Sequence, residues 1–256
     1  MSLLQITALI IVTSLLAVAW WWLFRPKKGI STEIPPEWRD ILEKFVAFYR
    51  ELSSGDRIRF ERDVQQFLRD VAITGVGTEI DETDKLLVAS SAVIPIFRFP
   101  SWRYHNLNEV LIYPGAFNEE YETSGSEVRN ILGIVGEGSM QRMMILSRPS
   151  LRDGFTNDGS KQNVGIHEFV HLLDKADGTT DGIPELFLSK PYIIPWIKVM
   201  HKEIQAMQTG NSDINVYGSK NEAEFLSVVS EYFFNQPDKL QEQHPELYAL
   251  LEHLYC

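Results

Sequence analysis

The chain has 256 residues, of which 44% are apolar and 23% are charged, ordinary proportions for one or two globular domains with a real core. From Gly29 onward, 21 Lys and Arg stand against 35 Asp and Glu, a net of −14, which disfavours direct binding to a phosphate backbone. The single cysteine, Cys256, excludes a disulfide within the chain and gives no sign of an oxidising compartment.

The first 28 residues have a different composition from the rest. Residues 3–24 form a run of 22 residues without a charge, long enough as a helix to cross a hydrocarbon core of about 30 Å. Three tryptophans at positions 20–22 end the run, and indole rings favour the interface between lipid and water. The run therefore predicts a single transmembrane helix.

The basic residues that follow this run give it an orientation. Arg25, Lys27 and Lys28 come after the apolar run, whereas a cleaved signal peptide has its positive charge before that run and small residues at its end. We therefore expect residues 1–28 to be a membrane anchor with a basic flank. The positive-inside rule then places residues 29–256 in the cytoplasm.

The spacing of apolar residues predicts helices, then strands, then helices along the rest of the chain. The first expected elements are helices at residues 38–49, 56–71 and 81–94, with a short extended piece at 73–77. Strands follow at 110–113, 131–135 and 143–147, with a polar loop at 116–130. The last expected elements are four helices: one holding the stretch GIHEFVHLLD, then 191–207, 219–235 and 245–255. This order indicates an α+β domain, mainly helical with a small mixed sheet.

The stretch GIHEFVHLLD, residues 165–174, is typical of a metal-binding helix. His167 and His171 are four residues apart, so they lie on one face of a helix and can both reach one zinc ion. Glu168 lies beside that face, where it can act as a general base toward a water molecule. The remaining residues are nearly all apolar, which predicts a buried helix rather than a half-exposed helix with incidental histidines.

A catalytic zinc ion needs a third protein ligand, and two glutamates of a later helix are candidates. Glu224 and Glu231 are seven residues apart, so they project from nearly the same face of an otherwise apolar helix. Buried carboxylates must be paired or bind metal. Helix geometry alone leaves either residue possible as the ligand.

These stretches resemble the Mlc titration factor A family of zinc metallopeptidases, which is similar to the catalytic domain of anthrax lethal factor. The similar residues are HEFVHLLD (167–174), YGSKNEAEF (217–225) and SEYFF (230–234), together with PPEW (35–38), VLIYPGAF (110–117) and the stretch from GEGSMQ to ILSRPSL (136–151). The resemblance implies a zincin-like catalytic domain at residues 29–256. Its expected parts are a helical part (35–105), the sheet with the metal helix (106–178) and a C-terminal helical part (184–256).

The resemblance also assigns roles at the site. It implies that Glu224 is the third zinc ligand and that Tyr217 lies beside the metal, where its hydroxyl can stabilise an oxyanion. Glu231 would then support a ligating histidine. Asp174 is expected either to do the same or to bond nearby backbone. The partner implied by the family is Mlc, a glucose-responsive transcriptional repressor.

The expected function is zinc-dependent peptide hydrolysis through a zinc-activated water. The zinc ligands are His167, His171 and Glu224, and the catalytic residues are Glu168 and Tyr217. The strand at 142–147 is expected to line the cleft and bind the peptide backbone. The alternative is a non-catalytic or dual-role protein that binds and sequesters a transcription regulator. The presence of Glu168 is evidence against a purely structural zinc site, because such a site has four protein ligands, no open position and no need of a general base.

Overall fold

A computed structural model describes residues 33–116, 133–135, 142–156 and 159–256. The expected membrane anchor, most of the expected loop at 116–130 and the boundary between residues 28 and 29 lie outside these ranges. No helix within them is long and apolar enough to cross a bilayer.

Ten α-helices and four strands make up the described part of the chain. The elements before and within the sheet are α1 (Pro36–Phe45), α2 (Ala47–Glu51), α3 (Ser54–Asp70), β1 (Ala72–Gly75), α4 (Glu82–Ile96), β2 (Glu109–Tyr113), β3 (Gly133–Val135) and β4 (Met143–Ser147). The elements after it are α5 (Arg148–Thr156), α6 (Val164–Asp174), α7 (Lys190–Gln208), α8 (Glu222–Asn235), α9 (Pro237–Gln243) and α10 (Pro245–Tyr255). The prediction of a mainly helical domain with a small mixed sheet is confirmed.

The sheet has the strand order β1-β2-β4-β3. β1, β2 and β4 are parallel, and β3 runs antiparallel to β4, with Gly133 opposite Leu146. β4 is therefore an inner strand with neighbours on both sides. The expectation that residues 142–147 add a peptide strand is wrong, because the backbone groups of an inner strand are already paired. Among the described strands, β3 is the one at the edge beside α6.

Close helix packing places α6 at the centre of the domain. α6 lies against α4, α5, α8 and β3. A Cβ atom on Gly165 would lie 2.1 Å from the hydroxyl of Ser91 on α4, so only glycine permits this approach. Ser91 belongs to the run Ala89–Ala92, whose small side chains predict close packing. Packing against these four elements buries nine residues of α6.

Some boundaries differ from those that spacing predicts. Val46 has an extended conformation and splits the first expected helix into α1 and α2, although no glycine or proline marks the break. α5 and α9 were not expected. α9 begins at Pro237, where the sequence predicts only the end of the preceding helix; proline is well tolerated at the first position of a helix because its missing N–H would have no partner there.

Candidate metal centre

Two helix starts determine where the site residues lie. α6 begins after Asn163, whose side-chain oxygen accepts a hydrogen bond from the backbone N–H of Ile166 at 3.1 Å. α8 begins after Asn221, whose side-chain oxygen accepts from the backbone N–H of Glu224 at 2.8 Å. Each cap satisfies an N–H that has no partner within its helix. The caps hold His167 and Glu224 in the first turns of two packed helices.

Three potential ligand atoms meet between these helices. His167 Nε2 lies 3.2 Å from His171 Nε2 and 3.0 Å from Glu224 Oε2. His171 Nε2 lies 3.3 Å from the same carboxylate oxygen. These atoms form a nearly equilateral triangle. Four ligands placed tetrahedrally around zinc at 2.0–2.1 Å would be about 3.3–3.4 Å apart, so the triangle has nearly the size of one face of such a site.

The outer ring nitrogens of both histidines have oxygen partners. His167 Nδ1 lies 2.6 Å from Glu231 Oε1, and His171 Nδ1 lies 3.3 Å from the hydroxyl of Ser227. With a proton on each Nδ1, both Nε2 atoms present lone pairs toward the same point as the Glu224 carboxylate. Three electron-pair donors facing one point repel one another unless a proton or a cation lies between them, and a metal ion can take the place of that proton. The donor set therefore fits a divalent metal ion.

The balance of charge at the site also favours a cation. Glu168 and Glu231 are buried, and the side chain of Glu224 is 12% exposed. Burial opposes charge on His167, yet the carboxylates of Glu231 and Glu224 raise its pKa well above the usual value. Burial alone would raise the pKa of Glu224, but the two histidines hold it well below the usual value. Three carboxylates around two imidazoles leave the site with an excess of negative charge.

Glu168 lies next to this triangle and lines a cleft of about 500 Å³. Its side chain is buried, which raises the pKa of its carboxyl group, and no described residue donates a hydrogen bond to it. Gly133 of β3 lies against it, because a Cβ atom there would be 2.6 Å from Glu168 Oε1. The edge strand and the carboxylate thus share one wall of the cleft.

Tyr217 lies beside the His–His–Glu triangle, with its ring 6.0 Å from the ring of His167. It belongs to a short 3₁₀ helix, Val216–Ser219, and its hydroxyl donates to Glu224 Oε1 at 3.1 Å. Burial and the nearby Glu224 carboxylate raise its pKa to about 12, so the hydroxyl keeps its proton at neutral pH. At 47% exposure, the ring can reach the solvent side of the cleft.

Asp174 lies apart from the ligand atoms. It is fully buried, and its Oδ2 accepts a hydrogen bond from the backbone N–H of Gly182 at 3.0 Å, while burial raises its pKa to about 6. Its contact is therefore with nearby backbone, the second of the two expected roles. The spacing of residues in the sequence also gave no indication of the surroundings of His244. Its imidazole lies 3.0 Å from Glu203 and 2.8 Å from Asp213, away from the metal centre.

A buried helix with two histidines and a glutamate, whose histidines meet the carboxylate of a second helix beside a cleft, has the features of a metallopeptidase. The family model described as "Glucose-regulated metallo-peptidase M90" matches residues 20–256. The chain belongs to this family.

Several individual proteins are similar over most of the chain. An uncharacterized protein of Synechocystis sp. is 30% identical over 263 residues, covering 97% of this chain and 95% of its own. Mlc titration factor A of Escherichia fergusonii is 27% identical over 239 residues, covering 89% and 88% of the two chains. Mlc titration factor A of Cronobacter sakazakii is 29% identical over 216 residues, or 80% of each chain. The resemblance to the Mlc titration factor A family is confirmed.

Proposed function

We propose that this protein is a zinc-dependent peptidase with a zincin-like fold, in which His167, His171 and Glu224 hold the metal. The observation that supports this most strongly is the triangle of two Nε2 atoms and one carboxylate oxygen, with edges of 3.0–3.3 Å. Zinc is the metal that two imidazoles and one carboxylate suit when a fourth position remains open for water. When bound, zinc would polarise a scissile carbonyl group and lower the pKa of a water molecule.

Glu168 is the proposed general base. Its carboxylate lines the cleft beside the ligand triangle, so it can accept a proton from the attacking water and pass it to the leaving amine. The hydroxyl of Tyr217 can turn from Glu224 to the oxygen of the attacked carbonyl group, where its proton would stabilise the developing negative charge. The outer edge of β3 would hold the peptide backbone next to Glu168, the role that was expected of residues 142–147.

The substitution Glu168→Gln tests this assignment. Gln has the same shape but cannot accept the proton, so peptide hydrolysis should fall at least about 100-fold while the bound zinc stays at one ion per chain. Zinc content and cleavage of a peptide library should be measured on the same preparation. Glu252→Gln, which removes an exposed carboxylate on α10, is the matched control and should keep full activity. Undiminished hydrolysis by the Glu168→Gln protein would exclude Glu168 as the base.

A second candidate function is binding of a transcription regulator, which the name of the Mlc titration factor A relatives suggests. The partner would be a repressor of the Mlc type, held either as a substrate or in a stoichiometric complex. The Glu168→Gln protein distinguishes the two in a pull-down with such a repressor. Cleavage of the repressor by the wild-type protein alone indicates a substrate. A stable, uncleaved complex with both forms indicates sequestration.

The proposed location is the membrane, with one transmembrane helix at residues 3–24 and the catalytic domain facing the cytoplasm. The support for this comes from the length of the apolar run and the three basic residues after it. Removal of residues 1–28 should transfer the protein from the membrane fraction to the soluble fraction of a cell lysate. A full-length chain that fractionates as a soluble protein would overturn the location.

A further inference from the structure

A second cavity of about 360 Å³ lies between α3, the end of α4 and the start of β4. It shares no lining residue with the cleft at the metal centre. Phenyl and phenol rings from Phe67, Phe97, Phe99 and Tyr104 form much of its wall. A cavity of this volume, with an aromatic wall and charged groups of both signs, can hold a small polar molecule that has an apolar part.

Asp63 is a buried carboxylate in the wall of this cavity. The residue is 9% exposed, and its nearest described cation is Arg62, whose Nε lies at the long distance of 3.8 Å. Burial raises the pKa of Asp63, and the nearby guanidinium groups of Arg62, Arg103 and Arg59 offset that rise only in part, because a carboxylate removed from water is costly. A ligand that brings a positively charged hydrogen-bond donor would remove this cost.

Two guanidinium groups, those of Arg103 and Arg142, line the same cavity, and neither forms a close ion pair with a described carboxylate, although Arg103 is near enough to Asp63 to lower the pKa of that carboxyl group. Arg103 donates to the carbonyl oxygens of Pro100 and Trp102, at 2.9 and 2.6 Å. Arg142 donates to the carbonyl oxygen of His105 at 2.6 Å. In the part of the chain that the structure describes, these neutral oxygens are the hydrogen-bond partners of both side chains. The remaining N–H groups of each guanidinium suit a carboxylate.

We propose that this cavity binds a free amino acid with an apolar side chain. The ammonium group of the ligand pairs with Asp63, its carboxylate pairs with the half-buried Arg103, and its side chain lies against the aromatic wall. Opposite charges in one apolar cavity select a zwitterion over a simple amine or a simple acid, because each of these leaves one protein charge without a partner. This proposal does not depend on the proposed peptidase function.

The cavity also adjoins the packing of the metal helix. The rings of Phe67 and Tyr104 lie 5.5 and 5.1 Å from the ring of Phe169, which directly follows Glu168. A ligand in the cavity would touch two of the side chains that hold α6 in place.

Calorimetric titration of the full chain in detergent tests the proposal with three probes of similar shape. L-Leucine carries both charges, isopentylamine lacks the carboxylate and 4-methylpentanoate lacks the ammonium group. L-Leucine should bind at least about tenfold more tightly than either analogue, since each loses one charge-assisted hydrogen bond. Absence of L-leucine binding, or equal binding of L-leucine and an analogue, would overturn the proposal.

Two variants locate the binding in this cavity. Asp63→Asn should weaken binding of L-leucine and isopentylamine about tenfold or more and leave binding of 4-methylpentanoate unchanged. Arg103→Gln should weaken binding of L-leucine and 4-methylpentanoate, and it serves as the test if circular dichroism shows that Asp63→Asn does not fold. The control is Asp40→Asn, an exposed carboxylate on α1 outside the cavity. Wild-type affinity for L-leucine in both cavity variants would contradict the assignment.

Discussion

Glu224 and Glu231 lie seven residues apart on one helix, yet their contacts with the histidines indicate different tasks. Glu224 Oε2 lies within 3.3 Å of both Nε2 atoms, whereas Glu231 contacts His167 on the outer nitrogen, Nδ1. Replacing each by alanine makes the same chemical change on the same helix. The comparison therefore separates loss of a metal ligand from loss of a group that orients one.

The expected losses of zinc affinity follow from these contacts. Removal of a group that orients a metal ligand costs 10–100-fold in metal affinity, about 1.4–2.7 kcal/mol, and we expect this for Glu231→Ala. Glu224→Ala removes the ligand atom itself and should cost more than about 100-fold. The cap of α8 should survive, because Asn221 bonds the backbone N–H of Glu224 and not its side chain.

In the metal-free protein, by contrast, Glu231→Ala should lower the free energy of unfolding more than Glu224→Ala. Glu231 also accepts a hydrogen bond from the buried backbone N–H of Asn163. Glu231→Ala leaves that N–H without its partner, at a cost of about 1–3 kcal/mol in the free energy of unfolding. Glu224→Ala removes a carboxylate that the two histidines and Tyr217 contact, but it leaves no buried backbone N–H without a partner, so it should cost less than Glu231→Ala.

Two measurements show which variant loses more zinc affinity and which loses more stability. Competition with a chromophoric chelator gives the zinc affinity of each variant, and urea unfolding of chelator-treated protein gives its stability. Greater loss of zinc affinity in Glu231→Ala than in Glu224→Ala would refute the assignment of the third ligand.

Two further predictions concern Tyr217 and His244. Tyr217→Phe should lower kcat about 100-fold and change zinc affinity only a few-fold, because the hydroxyl acts on the substrate oxygen; steady-state kinetics and zinc titration check this, and an unchanged kcat would contradict it. The hydrogen bond to Glu203, and to a smaller extent the one to Asp213, raises the pKa of His244. The stability that protonated His244 contributes is therefore fully present below about pH 6.5 and is lost as the pH rises through the raised pKa. His244→Gln should therefore cost about 1–2 kcal/mol in urea unfolding at pH 6 and clearly less at pH 9, and a cost that grows with pH would show that the sign is wrong.

Helix periodicity predicted the metal helix well because its pattern is local. The order of residues in GIHEFVHLLD determines which side chains share a face, and the structure gives a helix from Val164 to Asp174. The run Ala89–Ala92 likewise indicated close packing, which Gly165 and Ser91 make.

Periodicity could not separate Glu224 from Glu231, because two positions seven residues apart differ in direction by only about 20° around the helix axis. They differ by about 10.5 Å along its axis, and this distance decides which carboxylate reaches the Nε2 atoms. The position along the axis depends on how α6 and α8 pack, which no local pattern records. The family resemblance supplied that assignment instead.

The order of strands in a sheet is equally inaccessible to local patterns. Residues 143–146 are apolar and come shortly before the metal helix in the sequence, which suggested them as the peptide-binding strand. Their burial comes instead from an inner position between β2 and β3. The contact between Gly133 and Glu168 is visible only once β3 has been placed at the edge.

The central claim is that two imidazoles and one carboxylate hold a single zinc ion. Anomalous diffraction at the zinc edge, from crystals of the protein, tests it most directly. We expect one strong peak about 2 Å from Nε2 of His167, Nε2 of His171 and a carboxylate oxygen of Glu224. Crystals of zinc-loaded protein without a peak between these atoms, or with Glu231 as the ligand in place of Glu224, would contradict the account.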